Sequence, residues 1–304
     1  MEGTAERLRI ALYQGPGRWQ DKAAALAQLE ALAAAAAGRG AGLLVCPEMF
    51  LTGYNIGPEA AARLAEPAEG PCAQAAGAIA RAHRIALCFG FPEAAAGAMF
   101  NAAALIGPDG RSLATYRKTH LFGAVDRAMF AAGGEGVVLA PLFGLCVGML
   151  ICYDVEFPET VRALALAGAD LVLVPTAAMR PYEVVARALI PARAYENQIF
   201  CAYANRSGAE PPFDYFGESV VAGPDGAALT RAGAGEEMLF ADLDPTLLAA
   251  VRARDPMLAD RRPALYQALA AARSPGFTAP VRPSPEHGPK PSPSPARRAG
   301  FGGG

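Results

Sequence analysis

The sequence predicts an α/β domain in which helices cover a buried sheet system. Three observations point there. Several strand-like runs, among them 42–47 (GLLVCP), 145–152 (LCVGMLIC) and 170–175 (DLVLVP), are apolar almost throughout, not at alternate positions. That is the pattern of strands buried on both faces. These runs alternate with helical segments, the order of a layered α/β domain. The chain has 304 residues, enough for one large core, and its apolar fraction of 53% owes its excess mainly to alanine.

From the N-terminus, a charged opening leads into a strand at 8–14 (LRIALYQ), with no apolar signal-peptide region. An alanine-rich helix is expected at 21–38, broken by Gln28 and Glu30 and so too polar to span a membrane. Strands follow at 42–47, 84–91, 101–106 and 112–118, with a helix at 71–83 between the first two. The second part again mixes the two kinds of element, with strands at 145–152, 170–175, 199–205, 217–222 and 237–243, and helices at 158–167 and 183–197. The helix at 158 opens with Pro158 and Glu159, as helix starts often do. The tetrapeptide GPDG occurs at 107–110 and again at 223–226, each time between two strand-like runs. Proline fixes φ and glycine accepts a positive φ, so both copies predict hairpin turns and suggest an internal duplication. Residues 1–273 form the predicted domain. The stretch 274–304 is rich in Pro, Ser and Gly, and such a composition predicts a disordered tail.

The formal net charge is −2, with no basic stripe, which argues against nucleic acid and anionic membranes as partners. The six cysteines (Cys46, Cys72, Cys88, Cys146, Cys152, Cys201) are scattered, mostly within apolar runs, and read as reduced thiols in a cytoplasmic protein. No pair has C-x-x-C spacing and there are three histidines, His83, His120 and His287, so no metal site is expected.

Three residues carry candidate chemistry. Cys152 ends an apolar run and precedes the predicted helix start, so it lies on a strand-to-helix connection. Backbone N–H groups there can stabilise a thiolate or an oxyanion, although a cysteine ending an apolar strand is more often a buried hydrophobe. Glu48 follows a buried strand and a proline, at the carboxyl end where α/β sheets bind ligands. Partial burial would raise its pKa toward that of a general base; the plain alternative is a loop carboxylate in water. Lys118 also ends a strand, where it is either a solvated charge or a fixed cation for a developing oxyanion. Together they supply the nucleophile, base and electrostatic stabiliser of acyl transfer.

The segments CPEMFLTGYNIG, YRKTHLFG and LICYDVEFPE, in that order, resemble the three signature regions of the nitrilase, or carbon–nitrogen hydrolase, superfamily. The resemblance runs from about residue 8 to about 270 and takes in PTAAMRPYEVV and ARAYENQIFCAYANRSG. The wording TGYNIG, HRIA and RKTHLFG is most similar to 5-aminopentanamidase and R-stereoselective amidases. The resemblance implies a four-layer α-β-β-α sandwich, at least a homodimer, no cofactor, and a triad of Glu48, Lys118 and Cys152. The backbone N–H of Tyr153 would join Lys118 in the oxyanion hole. Relatives often add a second carboxylate after the lysine; Asp126 is the candidate here, Glu135 the lesser one, and Ala124 stands where close relatives carry glutamate.

The expected activity is hydrolysis of a small aliphatic amide, amino-substituted like 5-aminopentanamide, through a cysteine thioester. Tyr54, Glu156, Tyr182 and Asp214 are candidates for the substrate's cationic end by loop position. A nitrilase, a carbamoyl-amine hydrolase or an acyltransferase would use the same triad. A non-catalytic protein on the same fold would not require it. A Cys–His pair of Cys152 with His120 is a further alternative, because positions 118 and 120 share a face on a strand.

Overall fold

Alternation within single strands sets the layering. In the computed structural model, which describes residues 7–267, the first strand β1 (Leu8–Gln14) turns Ile10 and Leu12 to one packing cluster and Ala11 and Tyr13 to another. Two faces of one strand are thus buried against different partners, as the apolar runs predicted.

The helices α1 (Lys22–Gly38) and α3 (Pro71–His83) flank the short strand β2 (Leu43–Val45) and the helix α2 (Pro58–Leu64). Asp21 caps α1, its Oδ1 accepting from the Ala24 N–H at 2.9 Å, and Ala25, Leu29, Ala33 and Ala36 form the buried stripe. Strands β3 (Ala86–Ala95), β4 (Ala98–Ile106) and β5 (Ser112–Arg117) complete the first half, followed by α4 (Gly123–Met129). The second half runs β6 (Leu139–Leu142), β7 (Leu145–Met149), α5 (Pro158–Leu166), β8 (Leu171–Pro175), α6 (Ile190–Asn197) and β9 (Phe200–Ala204). A small hairpin, β10 (Ser207–Glu210) with β11 (Phe213–Phe216), precedes β12 (Val220–Ala222) and β13 (Ala228–Arg231). Last come β14 (Glu237–Leu243) and α7 (Pro245–Arg254).

One sheet has the order β14-β1-β2-β3-β4-β5 and the other β13-β12-β9-β8-β7-β6. Ile10, Leu43 and Ala103 of the first meet Val147, Leu173 and Ala202 of the second in one core, so the sheets pack face to face. Helices α1 and α3 cover the first sheet, through Leu29 and Ile79. Helices α5 and α6 cover the second, through Leu164 and Ile190. This is the expected four-layer α-β-β-α sandwich.

Both predicted GPDG hairpins form, joining β4 to β5 and β12 to β13. Some boundaries differ from expectation. The run 145–152 leaves the sheet after Met149, and Cys152 opens a 3₁₀ turn, Cys152–Glu156. The helix expected at 183–197 begins with a π-helical turn, Val185–Leu189. The chain divides after Asp260 into two compact units; of the second, residues 261–267 are described and hold one 3₁₀ turn, Pro263–Leu265. The predicted tail at 274–304 lies outside the described residues. No helix among the described residues is long and apolar enough to cross a membrane.

Candidate active site

Glu48, Lys118 and Cys152 come from three different strand ends. Glu48 follows β2 through Cys46 and Pro47, Lys118 directly follows β5, and Cys152 follows β7. Lys118 is fully buried, and its backbone N–H donates to the Asn101 carbonyl at 2.8 Å, extending the β4–β5 ladder by one step. Cys152 has φ of +47° and Met49, next to Glu48, has φ of +51°. Such backbone in non-glycine residues costs about 1–3 kcal/mol and concentrates at functional sites.

The charged centre is a buried chain of contacts. Lys118 Nζ donates to Glu48 Oε1 at 2.8 Å and to Asp126 Oδ2 at 2.7 Å, and all three side chains are inaccessible to solvent. Asn101 Nδ2 also donates to Glu48 Oε1, at 2.7 Å. Asp126 is held in turn by the Tyr54 hydroxyl at 2.9 Å and the Phe122 N–H at 2.9 Å. Glu48 Oε2 is buried and has no hydrogen-bond partner. One oxygen of the glutamate is therefore anchored while the other is available.

The protonation states follow from burial and these pairings. Burial pushes the Glu48 carboxyl above the usual carboxylate range; Lys118 and Asn101 pull it back, and the Asp126 charge adds to the rise. Burial would lower the Lys118 ammonium, but the Glu48 and Asp126 carboxylates outweigh that and hold it well above a free lysine. The Cys152 thiol is pushed well up by burial and by Glu48, against the pull of Lys118 and the Ala177 backbone N–H. Burial and these pairings thus raise the Glu48 carboxyl, the Lys118 ammonium and the Cys152 thiol together.

Cys152 opens on a narrow cleft lined by Tyr54, Phe122, Glu156, Ala177, Ala178, Met179 and Tyr182. Tyr153 lies in the first turn of the 3₁₀ segment, where backbone N–H groups have no intrahelical acceptor. Its ring sits between Phe122 and Phe157, at centroid distances of 5.4 and 4.9 Å.

Of the residues expected at the substrate's cationic end, Tyr54, Glu156 and Tyr182 line this cleft. Asp214 is exposed on β11, pairs with Arg180 at 3.3 Å and is not among the residues lining the cleft. Asp126 is the carboxylate that meets the lysine, while Ala124 is exposed on α4 and Glu135 is exposed near Arg117. The Cys–His alternative meets a different geometry. The strand ends before Lys118, and His120 Nδ1 lies 2.9 Å from Asp154 Oδ1 with its ring stacked on Phe157 at 4.0 Å.

Other residues of this centre were not foreseen. Asn101 is one polar side chain in an apolar strand, a visible if general signal. Asp154 is fully buried and accepts from the Ile151 N–H (3.2 Å), Tyr116 hydroxyl (3.0 Å), Thr119 hydroxyl (2.9 Å) and His120 N–H (2.8 Å). It ties the Lys118 segment to the Cys152 turn. Arg206 is 1% exposed and donates to the carbonyls of Glu48 at 3.0 Å and Met49 at 2.5 Å, fixing the backbone under the glutamate.

Residues 9–253 match the family model described as carbon-nitrogen hydrolase. The chain belongs to the carbon–nitrogen hydrolase family. A protein of Pseudomonas protegens described as a hydrolase in the pqqF 5′ region is 50% identical, the match covering 86% of this chain and 92% of that one. An (R)-stereoselective amidase of a Pseudomonas species is 39% identical, over 84% and 92% of the two chains. The crystal structure of an amidase from Nesterenkonia sp. superposes with a TM-score of 0.78 at 36% identity, over 88% of this chain and 98% of that one. A variant of that amidase shows covalent addition of the acetamide moiety of fluoroacetamide at its active-site cysteine. This family member is a hydrolase of carbon–nitrogen bonds other than peptide bonds, an amidase of the nitrilase superfamily.

Proposed function

We propose that this amidase hydrolyses a short aliphatic amide carrying an amino group, giving the carboxylic acid and ammonia through a thioester on Cys152. The observation that carries the reading is the division of Glu48: Oε1 is held by Lys118 and Asn101, while the buried Oε2 has no partner and its charge acts on the Cys152 thiol. A base fixed by one oxygen and free at the other suits proton transfer. The small, mainly apolar cleft supports a short substrate. The adduct on the active-site cysteine of the Nesterenkonia amidase, and that amidase's complex with butyramide, support the same nucleophile and substrate size here.

In the proposed reaction Glu48 takes the thiol proton as Sγ bonds to the amide carbon and the carbonyl pair moves to oxygen. Lys118 and the Tyr153 N–H hold that oxyanion, with Asp126 keeping the ammonium in place. The carbon–nitrogen bond breaks as Glu48 returns the proton to nitrogen, and ammonia leaves. Water then attacks the thioester, Glu48 takes its proton, the carbon–sulfur bond breaks, and the thiolate recovers the proton. The test is ammonia release from 5-aminopentanamide, β-alaninamide, pentanamide, a carbamoyl amine and an aliphatic nitrile, with wild type and Cys152→Ala. Cys152-dependent turnover of the amino amides is expected. Turnover of the nitrile alone, or none that needs Cys152, overturns the reading.

A further inference from the structure

Glu156 is a charged residue in the cleft to which the chemistry above gives no task. Cys152 and Glu156 begin and end the same 3₁₀ turn. Both line the cleft, whose remaining lining is Tyr54, Phe122, Ala177, Ala178, Met179 and Tyr182. A carboxylate and a nucleophile thus line one small space.

The carboxylate is unpaired although two cations lie close by. Lys118 is committed to Glu48 and Asp126. Arg193, 7% exposed, donates to the Val155 carbonyl at 3.0 Å, the Glu156 carbonyl at 2.8 Å and Glu196 Oε1 at 3.1 Å. It fixes the backbone of Glu156 and pairs with a different glutamate. Among the described residues no hydrogen bond or ion pair reaches the Glu156 carboxylate. A half-buried unpaired carboxylate opposes folding. Burial pushes its carboxyl above the usual range, with Lys118 and Arg193 pulling it back. Asp214, the other acid considered for this task, is exposed and paired with Arg180.

We propose that Glu156 is the specificity residue of the cleft, receiving the ammonium end of an ω-amino aliphatic amide whose carboxamide lies at Cys152. This rests on the amide reading above and names the group that selects within it. The bound ammonium supplies the missing partner, and Tyr54, Phe122 and Tyr182 line the space around it. An ω-carboxylate in the same position meets repulsion and is rejected.

The test compares kcat/KM for 5-aminopentanamide, hexanamide (a methyl in place of the ammonium) and glutaric acid monoamide in wild type, Glu156→Gln and Glu156→Lys. Wild type is expected to favour the amino amide over hexanamide at least tenfold, the low end for a hydrogen bond to a charged group. Glu156→Gln brings that ratio near one, and Glu156→Lys turns the preference toward the carboxy amide. An amino-amide preference that survives in Glu156→Gln overturns the inference and leaves the amidase reading standing. Calorimetric titration of Cys152→Ala and Cys152→Ala/Glu156→Gln with n-pentylamine reads the site without turnover. At least tenfold weaker binding in the double variant supports the inference even if no amide is cleaved, a result that would sink the amidase reading alone. Equal binding overturns the inference.

Discussion

The two halves of the sandwich share a topology and differ in chemistry. Three parallel strands, β1-β2-β3 in one and β7-β8-β9 in the other, are each flanked by an antiparallel strand and a GPDG hairpin. Even the register shift before each turn repeats, after Leu105 and after Val221. The first turn lies so close on α3 that a Cβ at Gly77 would come within 2.6 Å of the Gly110 carbonyl. The second lies on α6, where a Cβ at Gly226 would meet Tyr195 at 3.1 Å. Pairing Ile10 with Leu43 and Val147 with Leu171 sets one half on the other. Glu48 then matches Thr176, each directly after a proline, while Cys152 matches Gly15 and Lys118 matches Ala234. Glutamate and lysine thus come from one half and cysteine from the other, and the mirror positions carry no carboxylate, amine or thiol; the Thr176 hydroxyl donates to the Val174 carbonyl at 2.9 Å. Gln14, beside Gly15, is buried with its amide satisfied by the Gly233 carbonyl at 2.8 Å and the Ser219 N–H at 2.8 Å. Glu48 keeps an oxygen unsatisfied. The scaffold supplies strand ends, and buried groups left incomplete supply the reactivity.

The largest break in this asymmetry is Lys118→Met. It leaves Glu48 and Asp126 buried together without their cation, a loss of about 3–5 kcal/mol. In the proposed mechanism it also removes an oxyanion donor, worth about 10²–10³ in kcat. Thermal unfolding and ammonia release would read both; a variant as stable as wild type refutes the ion-pair account.

Glu48→Gln sharpens the contrast by removing the charge of the incomplete group. Loss of the proposed base should lower kcat about 10²–10⁴-fold. Stability should move the other way. Because the folded pKa of Glu48 is raised, its favourable contribution is present below the unfolded value of about 4.3 and lost as pH rises through the folded value. Glutamine escapes that loss, so the melting temperature of the variant should gain on wild type as the pH rises from about 4.5 to about 7.5. A constant difference would contradict the direction of the shift. In wild type, the acid limb of kcat/KM should lie above the ordinary glutamate range, and Asp126→Asn should move it down by removing a charge that raises Glu48.

Asp154 joins the halves: its carboxylate holds Tyr116, Thr119 and His120 beside Lys118, and Ile151 beside Cys152. Asn at this position turns an NH₂ toward donors, costing about 1–3 kcal/mol. A displacement of about 1 Å between nucleophile and lysine costs about 10² in rate. The fall should show in kcat with KM largely kept, as befits a positioning residue; a fall confined to KM would place Asp154 at substrate binding instead.

Much of this was legible in the sequence. The long elements were, because a continuous apolar run or a helical period needs no tertiary information: β1 and α3 match their expected spans residue for residue. Short elements such as α2, α4 and the β10–β11 hairpin carry too few periods to stand out from loop. At the site, Glu48, Lys118 and Cys152 were readable as strand-end residues in recognisable segments. Asp154 was not, since its partners lie up to 38 residues earlier and nothing local names them. Arg206 reaches 158 residues back to the Glu48 carbonyl, a partnership only the folded sandwich creates. Asp214 shows the converse: its loop position suggested a site, and on β11 its carboxylate pairs with Arg180.

The smallest effect is expected where the comparison is most direct. Ala234 is the counterpart of Lys118 and is exposed. Ala234→Lys installs the same side chain at the same place in the other half, yet it should shift stability by no more than about 0.5 kcal/mol and leave amide turnover unchanged. Lys118 differs in that Glu48 and Asp126 converge on it in a solvent-free space. A lysine at 234 meets water, where a unit charge is stabilised without partners and exerts little field. Measurable gain or loss of turnover in this variant would mean that strand-end position alone confers reactivity, and that burial of the Glu48–Lys118–Asp126 chain is incidental to it.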